Sequence, residues 1–153
     1  HLNDELVRDN DACMFVTLFC AVINLPTGVC RFANGGHNPP VFIKSNGDMS
    51  QLNIIKGSAA GVIEGLEFKE SRLELETGDL LFAYTDGVTE AMNVQGQWFG
   101  VEPMLEKLRV LKEKPCVDIL NGLKEEVDRF AAGAEQSDDI TMVAFRYMGV
   151  DTE

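Results

Sequence analysis

The chain has 153 residues, of which 45% are hydrophobic, and a formal net charge of −12; that is enough to bury the core of one ordinary globular domain. With 25 acidic against 13 basic residues, it lacks the basic patch a nucleic-acid binder needs, and it would be repelled by an anionic membrane surface. No apolar stretch is long enough for a membrane span, and no signal-peptide pattern opens the chain.

Leu2, Leu6 and Val7 are spaced like the end of a helix, which Asp9-Asn10-Asp11 breaks. Met14 to Ile23 is β-branched, aromatic and apolar on both faces, so it reads as a central, doubly covered strand. Pro26-Thr27-Gly28 turns it into a returning strand, Val29 to Ala33. Asn34-Gly35-Gly36-His37-Asn38-Pro39-Pro40 is a loop, with His37 expected to pin it through backbone hydrogen bonds. Val41 to Lys44 and Met49 to Ile54 flank an Asn46-Gly47 hairpin signal. Lys56 to Gly65 is irregular, and its Lys56-Gly57-Ser58-Ala59-Ala60-Gly61 segment lacks the spacing of a phosphate loop.

Phe68 to Glu76 alternates, with Leu73 and Leu75 on one face, and Thr77-Gly78 leads into Asp79–Thr85 as the expected hairpin partner. Val88 to Met92 reads as a helical turn, and Trp98 and Phe99 as packing residues. Pro103 opens a helix with Met104, Leu105, Leu108 and Leu111 on its apolar face. Pro115 opens another, with Val117, Leu120, Leu123, Val127 and Phe130 as its stripe and Gly133 as its stop. A last strand runs from Ile140 to about Tyr147. Hairpins first and helices late make this an antiparallel α+β fold of one domain over residues 1–153, not an alternating parallel one. The same pattern argues against a receiver-like phospho-acceptor. The four cysteines, Cys13, Cys20, Cys30 and Cys116, form no Cys-x-x-Cys pair, and Cys20 and Cys30 lie in apolar runs; a reducing, cytoplasmic setting is expected.

Most of the acid belongs on a solvated surface, but two acidic turns stand apart. Thr85-Asp86-Gly87 ends a strongly apolar strand, and Ser137-Asp138-Asp139 begins one. In an antiparallel sheet the end of one strand lies beside the start of its neighbour. If these two strands are neighbours, Asp86, Asp138 and Asp139 converge on a site for a hard divalent cation. No Gly-x-Ser-x-Gly motif or Cys/His dyad offers a covalent hydrolase instead.

Four segments in order, Phe15-Val16-Thr17, Asn34-Gly35-Gly36-His37-Asn38-Pro39, Gly78 through Ala91, and Asp138-Asp139-Ile140-Thr141, resemble the bacterial metal-dependent serine/threonine phosphatases of type 2C. Within them the chain is most similar to the class of stage II sporulation protein E and the stress sigma-factor regulators, from about Leu2 to Tyr147. The resemblance implies a β-sandwich with helices on its outer faces. It also implies two Mn²⁺ or Mg²⁺ ions, and hydrolysis of a phosphomonoester by metal-activated water without a phosphoenzyme. By motif position Asp86 and Asp138 are then catalytic carboxylates and ligands of one metal, with Asp139 either an auxiliary ligand or a residue supporting the ligands from behind. The implied substrate is a phosphoprotein similar to an anti-anti-sigma factor.

Gly35-Gly36-His37 stands where the family usually has Ala-Gly-His, and Ala60-Gly61 where it usually has Leu-Gly. The family's other ligands, an early Asp and an Asp-Val-x-Gly-Lys-Gly segment, have no counterpart here. The chain also opens on His1 rather than Met, so it reads as the C-terminal portion of a phosphatase domain, incomplete at its N-terminus. That predicts an exposed strand edge, covered by dimerisation or element swapping, and weak or absent metal binding by this segment alone. The parent is read as cytoplasmic or tethered to a membrane through other domains. The alternative is a catalytically incomplete or degenerate module acting in regulation or protein–protein interaction.

Overall fold

The computed structural model describes residues 1–8, 10–55 and 57–150. Asp9, read as part of a helix break, and Lys56, at the head of the glycine-rich segment, lie outside the described residues. The elements run α1 (Leu2–Val7), β1 (Leu18–Asn24), β2 (Val29–Gly35), β3 (Val41–Ile43), β4 (Met49–Gln51), β5 (Glu70–Glu74), β6 (Leu80–Tyr84), α2 (Asp86–Thr89), α3 (Val101–Leu111), α4 (Cys116–Ala131) and β7 (Met142–Arg146). Every strand pair is antiparallel, as the hairpin-rich sequence predicts. No described helix is long and apolar enough to cross a membrane.

Two compact units divide these elements. One is built from His1–Pro39 with Asn53–Leu75, around a three-stranded sheet in the order β1-β2-β5. Here the sequence reading of Met14 to Ile23 is corrected. Among the described strands only β2 pairs with β1, which is therefore an edge strand of this sheet and not a central one. Met14 is 72% exposed, Phe15 64% and Val22 68%. Apolar residues on both faces mark a strand that could be covered; they do not supply the cover. Cys20, expected to be a buried small hydrophobe, is exposed with it, whereas Cys30 on β2 is buried and burial pushes its thiol up.

The loops of this unit are fixed by asparagine side chains. Buried Asn3 donates to the Ile63 carbonyl at 2.8 Å and accepts from the Gly61 amide at 3.0 Å. Asn34 does the same around His37, donating to its carbonyl and accepting from its amide, both at 2.8 Å. The pin of that loop is thus Asn34. The His37 ring instead lies 3.5 Å from the Thr17 hydroxyl.

The other unit is built from Pro40–Leu52 with Glu76–Met148. Its sheet has the order β4-β3-β6-β7, so β6 pairs with β3 and β7, and β5 is not its hairpin partner. The cause lies in the connecting turn. Asp79 is buried, and its carboxylate accepts the Ser45 amide at 2.8 Å and the Glu76 amide at 2.9 Å. It binds the turn to the β3–β4 hairpin, where the sequence reading makes Asp79 the first residue of a strand paired with β5.

One face of this sheet, carrying Val41, Ile43, Leu80, Phe82 and Tyr84, forms a buried cluster with Met104 and Leu108 of α3 and Ile119, Leu123 and Val127 of α4. The i, i+2 spacing of the strand residues and the i, i+4 spacing of the helix residues are what that packing requires. The stripe of α4 is therefore centred on Ile119, and Val117 is 61% exposed. Phe99 is buried edge-on to Phe130 at 5.4 Å, but Trp98 is 64% exposed and is not a packing residue.

Glu126 of α4 accepts Lys107 of α3 at 2.8 Å and Arg129 at 2.8 Å. The hydrogen bond from Lys107 holds its carboxyl below the usual glutamate range. A carboxyl depressed in the folded state stabilises it fully above the unfolded value, and that contribution is lost as the pH falls through the folded value. The thermal midpoint should therefore fall on going from pH 7 to pH 3, and Glu126→Gln should be less sensitive over the same interval, losing about 1 kcal/mol or less at neutral pH. Circular-dichroism melts of both proteins check this.

Candidate metal centre

Strand β6 is apolar and aromatic, and it is buried at both its ends: Leu80, Leu81, Phe82 and Tyr84 are each 8% exposed or less. It runs antiparallel to β7 in a register that pairs Leu80 with Arg146 and Tyr84 with Met142. The next residue on each strand therefore lies beside the other: the Thr85 amide donates to the Thr141 carbonyl at 3.0 Å. The strand-neighbour condition posed by the sequence is met, and the Asp86 turn and the Asp138-Asp139 turn emerge from one end of the same strand pair.

The approach of the two turns is close. A Cβ placed on Gly87 would stand 2.5 Å from the Asp139 carbonyl oxygen, 2.9 Å from its carbon and 3.2 Å from the Asp138 carbonyl carbon. Those are backbone atoms, which cannot swing aside as a side chain can. Gly87 is not at positive φ, so glycine is required there for space alone. The Asp-Gly step, read in the sequence as a tight turn, is a gap between two backbones.

Around this gap each turn is tied to its own surroundings. Asp86 Oδ1 accepts the Gly87 amide at 3.1 Å, and Asp138 Oδ1 accepts the Asp139 amide at 2.7 Å. The Asp86 carbonyl accepts the Glu90 amide at 2.8 Å and the Thr89 hydroxyl at 3.2 Å, closing the single turn of α2. Across the gap, the Ser137 hydroxyl donates to the Glu90 carbonyl at 3.0 Å. Gln136 Nε2 donates to the Asp138 carbonyl at 2.7 Å. Sequence reasoning missed Gln136 and Ser137 as holders of the second turn; a polar pair just before two aspartates was the available signal.

All three aspartates are exposed. In Asp86 and Asp138 one carboxylate oxygen is held by the following amide, and Oδ2 makes no hydrogen bond among the described residues. Orientated carboxylates with one free oxygen each are the donor type that hard divalent cations take. Among the described residues no three or more His, Cys, Asp or Glu side chains are already gathered as a cage. The residues present fit such an ion as part of a ligand set. His37 belongs to the other unit and is not counted in it.

The family model of stage II sporulation protein E (SpoIIE) matches residues 1–148. The chain is 34% identical over 143 residues to Protein IcfG of Synechocystis sp., covering 93% of this chain and 22% of that protein. It is 28% identical over 148 residues to the phosphoserine phosphatase RsbU of Bacillus subtilis, covering 95% of this chain and 43% of that one. Among solved structures it matches the Mn-presoaked phosphatase domain of the cell fate determinant SpoIIE from Bacillus subtilis with a TM-score of 0.66 and 25% identity, over 90% of this chain and 58% of that one. The chain spans less than half the length of these two curated relatives. Its antiparallel sheets and helices are those of type 2C phosphatase domains.

Proposed function

The chain belongs to the stage II sporulation protein E family, and from that premise we propose that it is the C-terminal portion of a metal-dependent protein serine/threonine phosphatase domain. The observation that carries this reading is the β6–β7 register, which sets the Asp86 turn against the Asp138-Asp139 turn at one sheet end. Asp86 and Asp138 are the catalytic carboxylates that hold one Mn²⁺ or Mg²⁺ of a two-metal site, with Asp139 as an auxiliary ligand. When bound, the ions supply Lewis acidity and an activated water for phosphomonoester hydrolysis.

This chain's own contribution is rigidity. Asp86 sits two residues beyond the buried strand β6 and Asp138 four residues before β7, each with one carboxylate oxygen fixed by the following backbone amide, so little ordering of these two remains when an ion arrives. The substrate is a phosphoprotein of the anti-anti-sigma type, acted on in the cytoplasm; the name of the relative RsbU, a phosphoserine phosphatase, supports a phosphoserine substrate.

In the whole protein, Asp86→Asn should lower Mn²⁺-dependent hydrolysis of a phosphoserine protein by about a thousandfold or more, because it removes a metal ligand and not a binding contact. Full activity in that variant would sink the assignment.

A second reading, that of a catalytically incomplete module acting by protein–protein interaction, is favoured by the absence of a gathered cage of three or more ligating side chains among the described residues. Titrating Mn²⁺ into the chain alone tests the second reading: micromolar binding with turnover of a phosphopeptide rules it out for this chain.

A further inference from the structure

Thr85 stands at the N-cap of α2, with φ −82° and ψ 158°, yet its side chain makes no capping bond. A threonine there ordinarily accepts an amide two or three residues on. This one instead spends its hydroxyl on the opposite turn. Oγ1 donates to the Asp139 carbonyl at 2.8 Å and accepts the Thr141 amide at 2.9 Å. Together with the backbone bond from the Thr85 amide to the Thr141 carbonyl, this clasps the chain on both sides of Ile140 to the residue that precedes Asp86.

A hydroxyl has one proton to give, and here it goes to the peptide that carries Asp139. That is the same carbonyl that lies against Gly87. Gly87 permits the two turns to approach, and Thr85 holds them there. α2 gives up a side-chain cap in return, worth about 1 kcal/mol in an ordinary helix, which points to a requirement at the site and not in the helix.

We propose that Thr85 is a positioning residue, whose hydroxyl sets the spacing of the Asp86 and Asp138-Asp139 turns and so the affinity for the divalent ion they share. This rests on the metal-site reading above. Thr85 does not itself ligate the ion; it acts through the backbone of the second turn.

The test uses Thr85→Val, which keeps the shape and removes the hydroxyl, and Thr85→Ser, which keeps the hydroxyl and removes the methyl. Mn²⁺ affinity is read by calorimetry on the whole protein, with thermal unfolding of the metal-free protein alongside. Thr85→Val should weaken Mn²⁺ about tenfold, the effect of roughly one hydrogen bond, and Thr85→Ser should stay within about twofold of the parent. A purely structural role would lower the unfolding midpoint of Thr85→Val and leave the affinity of its folded form unchanged; that result overturns the proposal, as does a tenfold loss in Thr85→Ser. Should Thr85→Val not fold, Thr85→Ala carries the same expectation. Asp86→Asn is measured in parallel. If it loses Mn²⁺ while Thr85→Val does not, the clasp fails and the metal site stands. If Asp86→Asn binds Mn²⁺ like the parent, both fail.

Discussion

Gly87→Ala is expected to lose Mn²⁺ binding and to destabilise the unit built from Pro40–Leu52 with Glu76–Met148 by about 3 kcal/mol, at the upper end of overpacking costs. The added methyl would stand 2.5 Å from the Asp139 carbonyl oxygen. Real Cβ atoms do not approach oxygen that closely, so one backbone must move. The Asp139 carbonyl is held by the Thr85 hydroxyl and the Asp86 carbonyl by the Glu90 amide, so neither side can yield without breaking a hydrogen bond. Larger residues should behave worse than alanine. Denaturant unfolding and calorimetric Mn²⁺ titration of the same preparations check the two effects together; an alanine variant with parental stability and affinity would show that the turns are not in contact.

The second large effect is expected at Asp79, away from the metal centre. Its buried carboxylate holds two backbone amides, of Ser45 and Glu76. Asp79→Ala leaves both part-buried donors without this partner and should cost about 3 kcal/mol. For a chain of this size that is a fall in unfolding midpoint of roughly 10 °C. Asp79→Asn keeps one acceptor but points an amide donor at an amide, and should fall between the two. Neither variant touches the acidic turns, so Mn²⁺ affinity of the folded protein should be preserved. Loss of affinity without loss of stability would assign Asp79 a place in the site that this geometry does not give it.

These two residues mark where the sequence was readable and where it was not. The pairing of β6 with β7 could be expected from two apolar runs, one ending and one beginning on aspartate, because antiparallel geometry puts such ends side by side. A cation site at the turns was the expectation drawn from that pairing. The reason for Gly87 did not, since a turn glycine and a glycine that fills a gap have the same local sequence. The partner of β5 was misread for a related reason. Thr77-Gly78 has the composition of a hairpin turn, and only the buried Asp79 carboxylate, with Ser45 as its distant partner, redirects the chain to another sheet. Met14 to Ile23 failed differently. Local pattern reports how apolar a strand is, whereas sheet position is decided by what pairs with it, and among the described strands β2 alone pairs with β1, with one isolated bridge from Val16 to Ala60 ahead of it. α3 and α4 were legible to within about two residues because their apolar spacing is periodic, apart from the choice between Val117 and Ile119, whereas the turn read at Val88 to Met92 is α2 at Asp86–Thr89, too short to show a period.

The proposed metal centre depends most on Asp86 and Asp138 sharing one ion. A double-mutant cycle on Mn²⁺ affinity in the whole protein tests that directly, using Asp86→Asn, Asp138→Asn and the pair. Two ligands of one ion are not independent, so each single variant should lose most of the binding at this site, and the double variant should lose little more, with a coupling of more than about 1 kcal/mol. Losses that simply add, or an unchanged affinity in either single variant, would contradict the shared site.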